Sequence, residues 1–421
     1  MMTRLFFLRA AVAAAVLLVW LSAGAGVGAQ ETPRDPSTTA DAPGTPSGAT
    51  LPDGLGTFLD GYAAAHLADR YPPALMVAVA TADETLIRVY GTADAATGAP
   101  ATPDTLFRIA SISKTFVWTA VMILADEGKL DLDADVNTLQ SAVTIPEAFG
   151  APVTLNDIMA HRGGFEDTFG VFVGADSGLT AGALLDRARP ERVAPPGERT
   201  AYSNWATTLA AVIVETAAGQ PFEDFVAERL LAPLAMTSTA LRDPQSAPER
   251  ALNDLALDAR TAAPHVQEAG AASAVVHDRL EPVFAAGAAS LSARDAAKWM
   301  QFFLRRGRAP DGAPILSTKT FETMRTRQFN DRPDAPDFAH GFMEAEIAGL
   351  PTYGHAGTLS GFIAEMRIVP DLGIGVFVAV NGAERIRLPD LVARAGIEFA
   401  ARAPQYPAPG PRPHHTAARP P

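Results

Sequence analysis

A serine and a lysine three residues apart can do together what neither does alone, and Ser111-Ile112-Ser113-Lys114 is the single S-x-x-K of the chain. Residues at that spacing on a helix are neighbours on one face, so Ser111 and Lys114 can touch. A serine hydroxyl is a poor nucleophile until a base takes its proton, and a lysine desolvated in a cleft suits that task. The start of a helix adds free N–H groups and partial positive charge, which favour negative charge developing beside Ser111. Tyr202-Ser203-Asn204 follows the turn Pro195-Pro196-Gly197 and precedes the helical pattern Leu209, Val212, Ile213, Thr216. A loop residue just before a helix can project into a cleft. There a tyrosine relays a proton, and an asparagine both donates to and accepts from a substrate amide.

His355-Ala356-Gly357-Thr358 is the third piece, placed directly before a late strand hairpin. Glycine in a strand lets a substrate backbone approach. An exposed edge beside the nucleophile could pair with an extended peptide or lend an N–H to an oxyanion. The tripeptide H-x-G recurs at His161-Arg162-Gly163 without leading into a strand, and His161 reads as a structural residue bonded to a loop. Taken singly, each motif is equally a helix cap or a turn. The combination carries the chemistry.

The elements that must position these residues follow from periodicity. Leu55, Phe58, Leu59, Tyr62 and Leu67 recur as on an amphipathic helix over 54–68. Two Val/Ile/Leu-rich runs, 74–81 and 85–91, flank an Asp83-Glu84 turn as an antiparallel hairpin. Near the other end, 362–369 and 374–380 flank Pro370-Asp371-Leu372-Gly373 as a second hairpin, and a closing helix covers 388–403. Between them the patterns are mostly helical. Ile112, Phe116, Val117, Ile123 and Leu124 give the Ser111 helix a buried face, with Gly128 as its stop. The fold class is therefore α+β, with an antiparallel sheet built from both chain ends, flanking helices and an inserted helical subdomain. Trp118, Trp205, Trp299 and Met300 read as core, with Trp205 a candidate for lining the cleft beside Asn204.

Together the three motifs resemble the serine β-lactamase and penicillin-binding peptidase superfamily, closest to its class C and DD-carboxypeptidase branch. The resemblance spans about 54–400. It includes Thr105-Leu106-Phe107-Arg108-Ile109-Ala110 before Ser111, Pro233-Leu234-Ala235-Met236, and Gly354-His355-Ala356-Gly357 followed by Gly361-Phe362. It implies that Ser111 is acylated, Lys114 activates it, and Tyr202 protonates the leaving group and later activates water. It further implies that Asn204 holds the substrate amide, that the N–H groups of Ser111 and Thr358 form an oxyanion hole, and that no metal or cofactor takes part. The chain departs from the class C pattern at His355-Ala356-Gly357, where Lys-Thr-Gly would grip a substrate carboxylate. A histidine is mostly neutral at neutral pH and alanine donates nothing. Ester, amide or D-peptide hydrolysis is therefore favoured over efficient β-lactam hydrolysis. A true class C-like β-lactamase and a non-catalytic penicillin- or muropeptide-binding sensor are the alternatives. His161-Arg162-Gly163-Gly164 stands where relatives have His-Thr-Ser-Gly.

Composition narrows the field. The absence of cysteine excludes a thiol nucleophile, disulfides and Cys-ligated metal centres, and the net charge of −13 argues against a nucleic-acid partner. Of 34 basic residues only Lys114, Lys129, Lys298 and Lys319 are lysines. There is no G-x-S-x-G elbow, P-loop, H-E-x-x-H or strand-linked G-x-G-x-x-G. Arg4 and Arg9, the apolar run 10–21 and Val27-Gly28-Ala29 read as an export signal cleaved near Gln30. The expected organisation is a signal peptide over 1–29, a disordered Pro/Ser/Thr linker over 30–52, a hydrolase body over 53–403 and a disordered Pro-rich tail over 404–421. The expected partner is a small-molecule or peptidoglycan-like substrate, met in the periplasm or outside the cell, with no stable membrane span after signal cleavage.

Overall fold

Strand β1 (Ala74–Ala80) is apolar at all seven positions and buried at all seven. A strand covered on both faces needs such a run, and β1 lies in mid-sheet. The computed structural model describes residues 48–69, 71–166, 170–173, 178–243, 257–268, 270–327, 329, 338–383 and 387–403. The expected signal peptide, nearly all of the linker and the tail lie outside them. Among the described residues, no helix is long and apolar enough to cross a membrane.

The main sheet has seven strands: β1, β2 (Thr85–Asp94), β3 (Ala99–Pro100), β4 (Met343–Ile347), β5 (Leu350–Leu359), β6 (Phe362–Val369) and β7 (Ile374–Val380). Their spatial order is β3-β2-β1-β7-β6-β5-β4, antiparallel throughout. The two predicted hairpins meet where Leu75 faces Val380 and Ala80 faces Gly375, so the sheet is indeed assembled from both ends of the chain. The late hairpin gains a further strand, because β6 also pairs with β5, which contains His355-Ala356-Gly357. The sequence reading placed that motif ahead of the strand. It is inside it.

Side-chain alternation divides the core. Leu75, Val77, Val79, Val376 and Val378 face α1 (Leu55–His66) and α5 (Leu388–Ala401) through Leu59, Val392 and Ile397. Met76, Ala78, Met366 and Phe377 face the opposite way, toward the inserted helical region. That region supplies α2 (Lys114–Asp126), α3 (Asn204–Ala218) and α4 (Ala293–Leu304). Helix α2 is buried from Lys114 to Leu124, so its central turns are apolar nearly all round. It ends as expected at Gly128. The Gly128 N–H bonds the Ala125 carbonyl and the Lys129 N–H bonds the Leu124 carbonyl, a Schellman motif that glycine closes at φ 69.

Candidate active site

The serine does not sit on the helix proper. Ala110–Ser113 forms a 3-10 turn that runs directly into α2 at Lys114. Residues i and i+3 eclipse one another in a 3-10 turn, so the expected meeting survives the change of geometry. Lys114 Nζ donates to Ser111 Oγ at 3.0 Å and to the Ala286 carbonyl at 2.6 Å. Lys114 is wholly buried and Ser111 is half-buried. The turn is held open in an uncommon shape. Ala110 has φ 49, left-handed for a residue with a Cβ. Ser113 secures it, donating to the Ala110 carbonyl at 2.5 Å while accepting from the Ala289 N–H at 3.1 Å. Just upstream, Phe107–Arg108 pairs with Ser290–Leu291, and the Ile109 N–H bonds the Ala289 carbonyl. The nucleophile's backbone is thus tied to the segment that accepts from Lys114.

A buried ion pair braces the same segment. The Arg108 guanidinium is bonded to the Asp243 carboxylate, both about 1% exposed, and it donates to the Asp278 carbonyl at 2.5 Å. Asp243 also accepts the N–H groups of Leu280 and Glu281. None of this was legible beforehand. The Ala286 contact is a backbone carbonyl without a side-chain signature, and Asp243 lies 135 residues from Arg108 in sequence.

Tyr202 stands at the loop-to-helix junction predicted for it, with its ring centroid 5.0 Å from Lys114 Nζ. The cap of α3 is Ser203, whose Oγ accepts from the Ala206 N–H at 3.0 Å. Asn204 is the first helical residue, mostly buried, so its amide is not spent as the cap. Trp205 packs inward, donating from Nε1 to the Leu185 carbonyl at 2.8 Å, and belongs to the core rather than the cleft. His161 bonds a loop as expected, accepting the Ser203 N–H at Nδ1.

His355 points from β5 toward the same side as Tyr202, ring centroids 6.2 Å apart. It is fully buried, and its Nδ1 faces the Ala356 carbonyl at 2.6 Å. Burial, and then the neighbouring Lys114, push its pKa down to about 3. The imidazole is therefore neutral and forms part of the wall rather than an accessible charge. Gly357 explains why the strand can lie against the serine turn. A Cβ built there would stand 2.1 Å from the Ile109 carbonyl oxygen and 3.0 Å from the Ser111 nitrogen. Strand β4 pairs with β5 only from Leu350 to Gly354. The stretch His355–Leu359, with half-buried Thr358, is therefore not covered by β4. The geometry brings Ser111, Lys114, Tyr202 and the His355–Gly357 strand together, with a hydroxyl touching a buried amine beside a strand edge, while Asn204 begins the helix that follows Tyr202.

The chain is similar to known proteins in both sequence and fold. Residues 59–401 match the family profile described as Beta-lactamase. Penicillin-binding protein 4 of Amycolatopsis lactamdurans is 29% identical over 295 residues, covering 68% of this chain and 74% of that protein. Esterase EstB of Burkholderia gladioli is 34% identical over 166 residues, 35% of this chain and 42% of that one. Among solved structures, D-amino acid amidase from Ochrobactrum anthropi SV3 superposes with a TM-score of 0.66 at 24% identity, covering 82% of this chain and 97% of that chain. The last likeness is one of fold.

Proposed function

The chain belongs to the Beta-lactamase family, within the serine β-lactamase and penicillin-binding protein superfamily, and from that premise we propose that it is an exported serine hydrolase working through an acyl-enzyme on Ser111. The observation that carries this reading is the 3.0 Å contact between Lys114 Nζ and Ser111 Oγ, in a turn packed against the free part of β5. Ser111 Oγ attacks the carbonyl carbon of an ester or amide. Its proton leaves through Lys114, which touches the hydroxyl, and Tyr202, whose ring lies 5.0 Å from that amine. The developing oxyanion is received by the N–H groups of Ser111 and Thr358, a type of contact worth on the order of 10²–10³ in rate per donor. Tyr202 delivers the proton to the departing oxygen or nitrogen. It then takes one from a water that attacks the acyl-enzyme ester, and that proton passes to Ser111 Oγ as its bond to the acyl carbon breaks. Asn204 orients the amide of the substrate's acyl portion.

The neutral, enclosed His355 and the apolar Ala356 offer no grip for a substrate carboxylate. This supports an ester, an amide or a D-amino-acid peptide as the substrate over a β-lactam. The names of the esterase relative and of the amidase that shares the fold lie in the same range. The body doing this work is 53–403, with 1–29 as its signal, 30–52 as a linker and 404–421 as a tail, acting in the periplasm or outside the cell.

The test is chemical. A fluorophosphonate should label the protein stoichiometrically at Ser111 by intact mass, and Ser111→Ala and Lys114→Ala should both lose turnover on a panel of nitrophenyl esters, D-Ala-D-Ala peptides and nitrocefin. Normal turnover by Ser111→Ala would end the reading. Preferential turnover of nitrocefin would overturn the substrate assignment alone.

A further inference from the structure

We infer that His161 is the positioning residue for Tyr202, acting as a two-sided clamp on the loop that carries it. This rests on the proton-relay role proposed for Tyr202. Proton delivery needs the phenol held in place, because a displacement of about 1 Å can cost on the order of 100-fold in rate, and loops are the most mobile places to hold anything. One residue holds a backbone N–H of each residue beside Tyr202. The His161 carbonyl accepts from the Ala201 N–H at 2.7 Å, and His161 Nδ1 accepts from the Ser203 N–H at 3.2 Å. Between these two bonds the imidazole lies against the phenol ring, centroids 4.4 Å apart and tilted by 36°.

The surroundings keep that clamp in one state. His161 is fully buried, its ring edge-on to Trp118 and Phe338. Nδ1 can accept only while unprotonated. Burial, followed by the charge of Lys114 and the proximity of His355, holds the pKa well below the ordinary imidazole value. The backbone of His161 sits at φ 56, a left-handed conformation that a non-glycine residue keeps only where its surroundings enforce it. Arg162 extends the hold. Its Nε donates to Thr200 Oγ1 at 3.1 Å and a terminal nitrogen donates to the Gly197 carbonyl at 2.9 Å, while its own carbonyl accepts from the Gly197 N–H at 2.8 Å. Two consecutive residues thus anchor the loop from Gly197 to Ser203. A histidine present only to fill the core would require neither bond to the residues beside Tyr202.

The experiment compares the full chain with His161→Phe, His161→Asn, His161→Gln and Tyr202→Phe on two esters of one acid. One ester has a nitrophenoxide leaving group that needs no proton, the other an alkoxide that does. His161→Phe keeps a ring but loses the Nδ1 acceptor. Its kcat/KM, which reports acylation and leaves out the deacylation step common to both esters, should fall on the order of 10- to 100-fold for the alkyl ester, with a much smaller fall for the nitrophenyl ester. His161→Asn puts an acceptor oxygen where Nδ1 stood and tolerates the left-handed backbone, so it should recover most of the loss. His161→Gln, whose oxygen reaches past that position, should not. Equal losses on both esters, or rescue by Gln as good as by Asn, would overturn the inference. Leaving-group dependence in Tyr202→Phe but not in His161→Phe would overturn it alone. Its absence from Tyr202→Phe would sink the relay reading and the clamp with it.

Discussion

Replacing Gly357 by alanine adds one methyl group, directed at the turn that carries Ser111. The new carbon would lie 2.1 Å from the Ile109 carbonyl oxygen, 3.0 Å from the Ala110 Cβ and 3.0 Å from the Ser111 nitrogen. Two of these neighbours are main-chain atoms and cannot swing away as the end of a long side chain does. Relief requires β5 and the serine turn to part by about 1 Å, which costs on the order of 100-fold when reacting groups are misplaced by that distance. Removing one oxyanion donor costs a comparable 10²–10³, roughly. The effect on stability is smaller, about 1–3 kcal/mol for an overpacked contact. Gly357→Ala should therefore remain folded and lose about two orders of magnitude in kcat. Steady-state kinetics on a nitrophenyl ester, the rate of fluorophosphonate labelling and the melting temperature give all three readouts. Turnover indistinguishable from the parent's, in a protein of unchanged Tm, would refute the idea that β5 supplies the second donor.

Arg108 and Asp243 should behave as a unit. Arg108→Met strands a buried carboxylate, at a cost of about 3–5 kcal/mol and a fall in Tm on the order of 10 °C, whereas adding Asp243→Leu should restore much of it. A double variant less stable than either single one would contradict this in a thermal melt. Acidification should act on the fold through buried histidines and carboxyls of opposite sense. Burial holds His277 and His340 down to about 4 and His355 to about 3. The unfolded chain therefore takes up protons that the native one refuses as pH falls from the ordinary imidazole value, about 6.5, toward 4. Glu365 works in the opposite sense. Burial outweighs the adjacent Arg367 and raises it to about 7, so its contribution is present at low pH and lost as pH rises from about 4.5 to 7. Removing the opposing group isolates its sign: Glu365→Gln should give a Tm that falls more steeply, or rises less, from pH 6.5 to 4 than the parent's. A Tm profile in Glu365→Gln that tilts the other way over that interval would show the assigned sign to be wrong.

Those elements legible in the sequence were the ones whose own residues specify them. The 3.6 periodicity of the Leu55 helix and the apolar runs of β1, β6 and β7 needed no partner to be read. The Ser111 and Lys114 spacing also predicted the contact that forms, although the helix starts one turn later than expected. Hidden features were those whose partners are distant or made of backbone. The left-handed Ala110, the Ala286 carbonyl under Lys114 and the Asp243 carboxylate against Arg108 leave no local pattern. His355 shows the same divide. Its place in the cleft was legible, but its complete burial comes from strands and helices that converge only in three dimensions.

Leu75 and Val380 sit side by side although more than 300 residues separate them. At about 5–20 residues per second, a ribosome would need tens of seconds after completing β1 to make the strand that covers its edge. Throughout that interval a run of seven apolar residues has no permanent neighbour on one side, the kind of bare edge on which chains aggregate. The central pairing of the sheet is also the last the growing chain can form. The nascent protein must remain unfinished, and in need of protection, until nearly all of it exists.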